Sequence, residues 1–278
     1  MTAPLPDPVS GTPAERPAHG RPALARTRAL DVAAGSRTLV RALDWTIAAG
    51  ECWAILGPNG AGKTLLLHTL AGLRPARRGD VLIEGTALRD WSRRLVAQKM
   101  ALLLQEEASD YWGSVAEYIR LGRLPHGRQD AHGLVRESLA IMGLLERADQ
   151  PFRWLSGGER QRARIAQTIV QDTALLLWDE PLNHLDLRQR AEVTAMLGVL
   201  RQRGKAIVLT AHEPEWAAAH CSHALLLYDS GRTAVGPARS VITDRAIREL
   251  YSLDEPTPVL SASGMRASDP PTPLSRSR

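Results

Sequence analysis

The chain has 278 residues, 44% of them hydrophobic, enough to bury one good core or two small ones; its formal net charge is +5 and its pI near 9.7. The basic excess is almost all arginine, with Lys63, Lys99 and Lys205 the sole lysines, and no dense basic block carries interleaved aromatics, so nucleic acid is not an expected partner. A signal-peptide core and an apolar run of the ~18–20 residues a bilayer span requires are both missing from the sequence, which excludes a membrane path built by this chain and leaves an acidic membrane surface as an equally simple reason for the charge.

In chain order, residues 1–25 are rich in Pro, Ala, Gly and Arg with no period, and read as a disordered leader. Short strands are predicted over 29–32 and 45–47, flanking a turn at Gly35-Ser36, and a buried strand over 52–56. A helix over 63–72, closed by its glycine, follows, then strands over 81–83 and 100–104. From about 106 to 170 the pattern turns helical, with helices over 115–121, 134–142 and 159–170. Strands over 175–178, 206–210 and 224–228 then alternate with helices over 187–200 and 214–220. Residues 261–278, rich in Pro and Ser, read as a second disordered tail. The domain between the tails, 26–260, is predicted to be a central parallel sheet with helices on both faces and a helical insert over 106–170. Cys52 and Cys221 are far apart in apolar surroundings without metal-ligand spacing, and read as two buried thiols in a reducing compartment.

The predicted strand over 52–56 runs into Gly57-Pro58-Asn59-Gly60-Ala61-Gly62-Lys63-Thr64, which fits G-x-x-x-x-G-K-[ST]. Glycines let the backbone curl so that successive N–H groups face one oxyanion, and the helix start adds its positive end. Lys63 can reach the β- and γ-phosphates of a nucleotide, and the Thr64 hydroxyl can ligate Mg²⁺. The run Leu175-Leu176-Leu177-Trp178-Asp179-Glu180 ends a buried strand in two acids, at the sheet edge where open α/β folds bind ligands. Asp179 suits the Mg²⁺ shell, and Glu180, pointing differently, suits polarising an attacking water.

Ser156 is a good N-cap, Glu159 completes a capping box, and Gly157 and Gly158 are expected to lie exposed at the helix start. Two helix starts that attract phosphate, but a single Lys63, imply that two chains meet head to tail, each covering the other's nucleotide.

GPNGAGKT, LSGGERQR and LLLWDEP, in this order, resemble the ATP-binding subunit of ATP-binding-cassette (ABC) transporters over about residues 28 to 255. The resemblance implies a P-loop NTPase of ABC type: an α/β domain with a mainly parallel sheet, an antiparallel N-terminal β subdomain and a helical subdomain insert. It implies ATP and Mg²⁺ as cofactors, with Gly57 to Thr64, Ser156, Gly157 and Gly158 on the nucleotide. Gln105 then matches the glutamine that contacts metal and attacking water and links to the membrane subunit. Asp186, in Asn183-His184-Leu185-Asp186, matches the loop that crosses the dimer, and His212 matches the histidine that contacts the γ-phosphate. The expected partners are a second copy in a head-to-tail homodimer, integral membrane permease subunits and, indirectly, a periplasmic substrate-binding protein. The expected location is peripheral, on the cytoplasmic face of the inner membrane.

One departure stands out. The family usually stacks an aromatic side chain on adenine shortly before the phosphate loop, and by register this chain has Ala34 there. Trp178 is bulkier than the aliphatic residue expected in the acidic strand and reads as filling a core gap. The segments Ser114-Val115-Ala116-Glu117-Tyr118-Ile119 and Leu121-Gly122-Arg123-Leu124-Pro125-His126 are similar to importers of iron chelates, haem and cobalamin, as are LNHLD and the ending Leu250-Tyr251-Ser252-Leu253. The alternatives are a soluble ABC ATPase acting on ribosomes or DNA, which usually has two cassettes or long insertions, and an exporter ATPase.

Overall fold

The computed structural model describes residues 21–105, 111–127 and 132–253. The described chain starts with a long hairpin, β1 (Ala23–Ala34) and β2 (Arg37–Ala48). Ala23 pairs with Ala48 and Ala25 is buried, so the strand takes up the last residues that composition assigns to the leader. Alternating apolar positions explain the gain: Leu30, Val32, Val40, Leu43, Trp45 and Ile47 all turn to one core. The remainder of the leader, the tail after 253 and the expected start of the insert at 106–110 lie outside the described residues.

Next come β3 (Cys52–Leu56), α1 (Lys63–Leu70), β4 (Arg78–Ile83), β5 (Thr86–Ala87), α2 (Arg93–Lys99) and β6 (Met100–Leu103). The insert supplies α3 (Val115–Arg120), α4 (His132–Ile141) and α5 (Gly157–Val170). β7 (Leu175–Trp178), α6 (Leu187–Gln202), β8 (Ala206–Thr210), α7 (Pro214–His220), β9 (His223–Leu227), β10 (Thr233–Pro237), α8 (Ala238–Val241) and α9 (Asp244–Tyr251) complete the described order.

Among the described residues two sheets form. The antiparallel one has order β2-β1-β4-β5, the N-terminal β subdomain that the resemblance implies. The other has order β10-β9-β3-β8-β7-β6, parallel except for the antiparallel β10 at its edge. β3 lies inside it, between β9 and β8, and all five of its residues are buried. That is why it is a continuous apolar run: Cys52, Ala54 and Leu56 enter the core beneath the helical insert, while Trp53 and Ile55 enter the core under α1 and the first sheet. Each large side chain so buried contributes about 1.5–3 kcal/mol. The strand leading to the phosphate loop is thus anchored on both faces.

Trp178 fills the core as expected, fully buried, with its indole Nε1 donating to Thr168 Oγ1 of α5 at 2.9 Å. In the insert, the rings of Tyr118 and Phe152 stack at 4.0 Å. Arg123, buried, donates to the carbonyls of Val170 and Gln171 at 3.3 Å and caps the C-terminal end of α5. The Leu121–His126 segment therefore folds as a short 3₁₀ turn tied to that helix.

Candidate nucleotide site

The loop between β3 and α1 turns on two glycines with opposite constraints. Gly57 is pressed against β9: a Cβ there would lie 2.7 Å from the Leu227 carbonyl oxygen. Gly62, the N-cap of α1, has φ of +100°, where side-chain-bearing residues are strained. It offers no side-chain cap, and the first turn of α1 carries no acid, so the leading N–H groups remain available to an anion. Lys63 is buried and folds back over the loop, its Nζ donating to Gly57 O at 2.8 Å and Pro58 O at 3.2 Å. Burial pulls its pKa down, while the carboxylates of Glu180 and Asp179 act the other way.

Lys63, Thr64, Asn59, Gly60 and Gly62 line a cleft of about 390 Å³, together with Gln105, Glu180, Leu65 and, from the first hairpin, Ala34, Arg37 and Leu39. Glu180 reaches the cleft just past the C-terminal end of β7, and Asp179 lies buried beside it. Asp179 is 1% exposed, and its Oδ1 accepts a hydrogen bond from Thr210 Oγ1 at 2.7 Å. Its other oxygen, Oδ2, is buried without a partner. An orphaned carboxylate oxygen beside a buried ammonium fits a water-ligated divalent cation.

Glu180 has φ of +49°, a strained value for a residue with a side chain. Its backbone N–H donates to Thr210 Oγ1 at 2.7 Å. Its carboxylate gathers three donors: Gln105 Nε2 at 2.9 Å, His212 Nε2 at 2.7 Å and the amide of Asn183. The His212 contact requires the proton on Nε2, because a carboxylate only accepts. Three of the residues expected to act together, Gln105, Glu180 and His212, are therefore in direct contact.

Ser156, Gly157, Gly158 and Asp186 do not line this cleft. Ser156 caps α5 through the predicted box: its Oγ accepts from Glu159 N–H at 3.3 Å, and Glu159 Oε2 accepts from Ser156 N–H at 2.9 Å. The hydrogen bond from that backbone N–H, above all, holds the Glu159 carboxyl below the usual carboxylate range. Because Ser156 Oγ accepts, its own O–H remains free to donate outward. Gly157 faces open space, but the expectation of two exposed glycines fails at Gly158. Gly158 is buried, and a Cβ there would meet Gln189 Oε1 at 2.3 Å. Asp186 is the N-cap of α6, accepting from Gln189 N–H at 2.8 Å, so Gln189 joins the two helix starts.

A family model described as "ABC transporter" matches residues 40–183 of the chain. The chain belongs to that family. The hemin import ATP-binding protein HmuV of Streptomyces coelicolor is 35% identical over 240 residues, 85% of either chain. The ferric enterobactin transport ATP-binding protein FepC of Escherichia coli is 32% identical over 235 residues, 82% of this chain and 87% of that one. Among solved structures, a transporter assigned to the metal-chelate type, in an inward-facing conformation, superposes with a TM-score of 0.72 at 25% identity, over 83% of this chain and 89% of its own. As an ATP-binding subunit of the ABC family, the chain binds ATP and is an ATPase.

Within this ABC subunit, sequence reasoning missed three residues that organise the site. Thr210 bridges Asp179 and Glu180, Asn183 donates to Glu180, and Gln189 joins the starts of α5 and α6. Thr210 carried a signal, a lone hydroxyl closing an otherwise apolar strand beside the acidic one. The other two carried none that motif reading could separate from an ordinary turn or helix residue.

Proposed function

We propose that two copies of this ATPase, head to tail, sandwich two Mg-ATP molecules and drive import of an iron-siderophore, haem or cobalamin-type chelate through a separate membrane permease, from a peripheral position on the cytoplasmic face of the inner membrane. The observation that carries the catalytic part is the convergence of Gln105, Asn183 and His212 on Glu180, which lines the cleft of Lys63 and Thr64 together with Gln105, while Asn183 and His212 line a second pocket that shares Glu180. Haem and enterobactin in the names of the relatives support the cargo class, as do the segments after Ser114.

Lys63, the N–H groups of Gly60 to Thr64 and the partner copy's Ser156 and Gly157 neutralise the triphosphate. The buried, unpartnered Asp179 Oδ2 fits Mg²⁺, which Asp179, Thr64 and Gln105 would hold and which would supply positive charge to the phosphates. Glu180, oriented by its three donors, takes the proton of the attacking water, and His212 stands beside it for the γ-phosphate. Asp186 lies at the crossing between copies. ATP bridging the copies closes the dimer and hydrolysis removes the bridge, a two-state switch biased by ligand. A periplasmic binding protein delivers cargo to the permease and meets this chain only indirectly.

Glu180→Gln should bind ATP normally while turnover drops roughly 10²–10⁴-fold, the range for lost general-base help. Wild-type turnover in that variant would overturn the assignment of the base. For the cargo, a deletion strain should lose growth on one of haem, iron chelates or cobalamin; undiminished growth on all three would refute an importer of this class.

A further inference from the structure

The wall of the Lys63 cleft opposite the phosphate loop is made by the first hairpin, where Ala34 ends β1 and Arg37 begins β2. The hairpin tip is braced: Arg77 Nη1 donates to Ser36 O at 2.9 Å and to Thr38 Oγ1 at 3.2 Å. The backbone of Arg37 is thereby fixed, but its side chain is not. The guanidinium lies 3.8 Å from Asp229, and the two side chains are 60% and 66% exposed, an ion pair too solvated to hold it in place.

A nucleotide whose phosphates sit on Lys63 must still place its base, and the cleft extends from the phosphate loop to this hairpin. Ala34 and Leu39 offer aliphatic contact only. Arg37 alone among the lining side chains of that wall presents a flat, delocalised cation, the group that stacks on aromatic faces.

We propose that Arg37 recognises the base, its guanidinium stacking on a purine ring where Ala34 supplies none. This rests on the ATPase reading of the cleft and adds the chemical class it selects. Stacking reads the π-face and not the exocyclic groups, so adenine and guanine nucleotides are both taken. The larger purine rings stack best, so the substrate class is nucleoside triphosphates with a purine preference.

The test is equilibrium binding of ATP, GTP and inorganic tripolyphosphate to the full chain. Arg37→Ala should weaken ATP and GTP roughly tenfold and tripolyphosphate less than about twofold, as expected for a lost stacking cation. Arg37→Tyr, which restores a flat surface without charge, should recover both nucleotides. Equal losses for tripolyphosphate and nucleotides in Arg37→Ala would mean that Arg37 reads charge, and would overturn the proposal; so would unchanged nucleotide binding. Lys63→Ala separates the underlying reading: it should weaken all three ligands, and tripolyphosphate binding that survived it would refute the phosphate-loop role, whatever Arg37 does.

Discussion

The starts of α1 and α5 both looked like anion sites in the sequence, yet they are built in opposite ways. α1 begins at a bare Gly62, with no cap and no acid, over a buried Lys63 and inside a walled cleft. α5 begins at an exposed Ser156 whose capping box already satisfies one helix N–H, with Glu159 also paired to Arg147 at 3.2 Å. The first is a walled cleft that presents its helix N–H groups and a buried cation together. The second is a surface, complete as a fold, whose spare donors are the outward Ser156 hydroxyl and the amides around Gly157. A helix start rich in glycine can thus leave its N–H groups open within a cleft or satisfy one of them with its own cap on an exposed surface, and the cap decides which.

Substitutions can break or sharpen this contrast. The largest effect belongs to the cleft: the loss of turnover in Glu180→Gln with ATP binding retained. Lys63→Ala comes next and should weaken nucleotide binding about 10–100-fold, the cost of charge-assisted hydrogen bonds of roughly 1.5–3 kcal/mol, read by calorimetry. Ser156→Ala should cost about 1 kcal/mol of unfolding free energy by loss of the cap, leave ATP affinity of the single chain unchanged, and lower turnover. If it weakened single-chain binding as much as Lys63→Ala, the two helix starts would form one site and the contrast would collapse. Gly157→Ala is the smallest: with nothing near its added methyl, stability should stay within about 0.5 kcal/mol. Any loss of turnover there would report on contact with the second copy.

Much of this architecture could be read from the residues because the signals were local. β3, β7 and β8 are buried on both faces and so are continuous apolar runs; the phosphate loop and the Ser156–Glu159 capping box are set by spacing alone. What escaped was decided elsewhere in the chain. α2 buries only Val96 among its arginines, so it shows no apolar stripe, although Ser92 caps it. β10 is an edge strand of Thr233–Pro237 whose only strand neighbour in its sheet is β9, and no alternation marks it. Gly158 looked exposed because its neighbour Gln189 arrives from α6, far along the sequence. Thr210 could be linked to both acids only once the β7–β8 register placed Trp178 opposite Leu209.

That same register logic brings together two residues that the sequence keeps apart. Cys52 and Cys221, the chain's only cysteines, are both buried with their sulfurs 3.6 Å apart, and the contact with Cys52, then burial, pushes the Cys221 thiol well above its ordinary range. Thiol reagents act on exposed thiolates, so neither natural sulfur competes for a label. A single cysteine engineered at Gly157 would accept a spin probe against this silent background, and distances between paired probes would follow the approach of one copy to another without stripping the native residues.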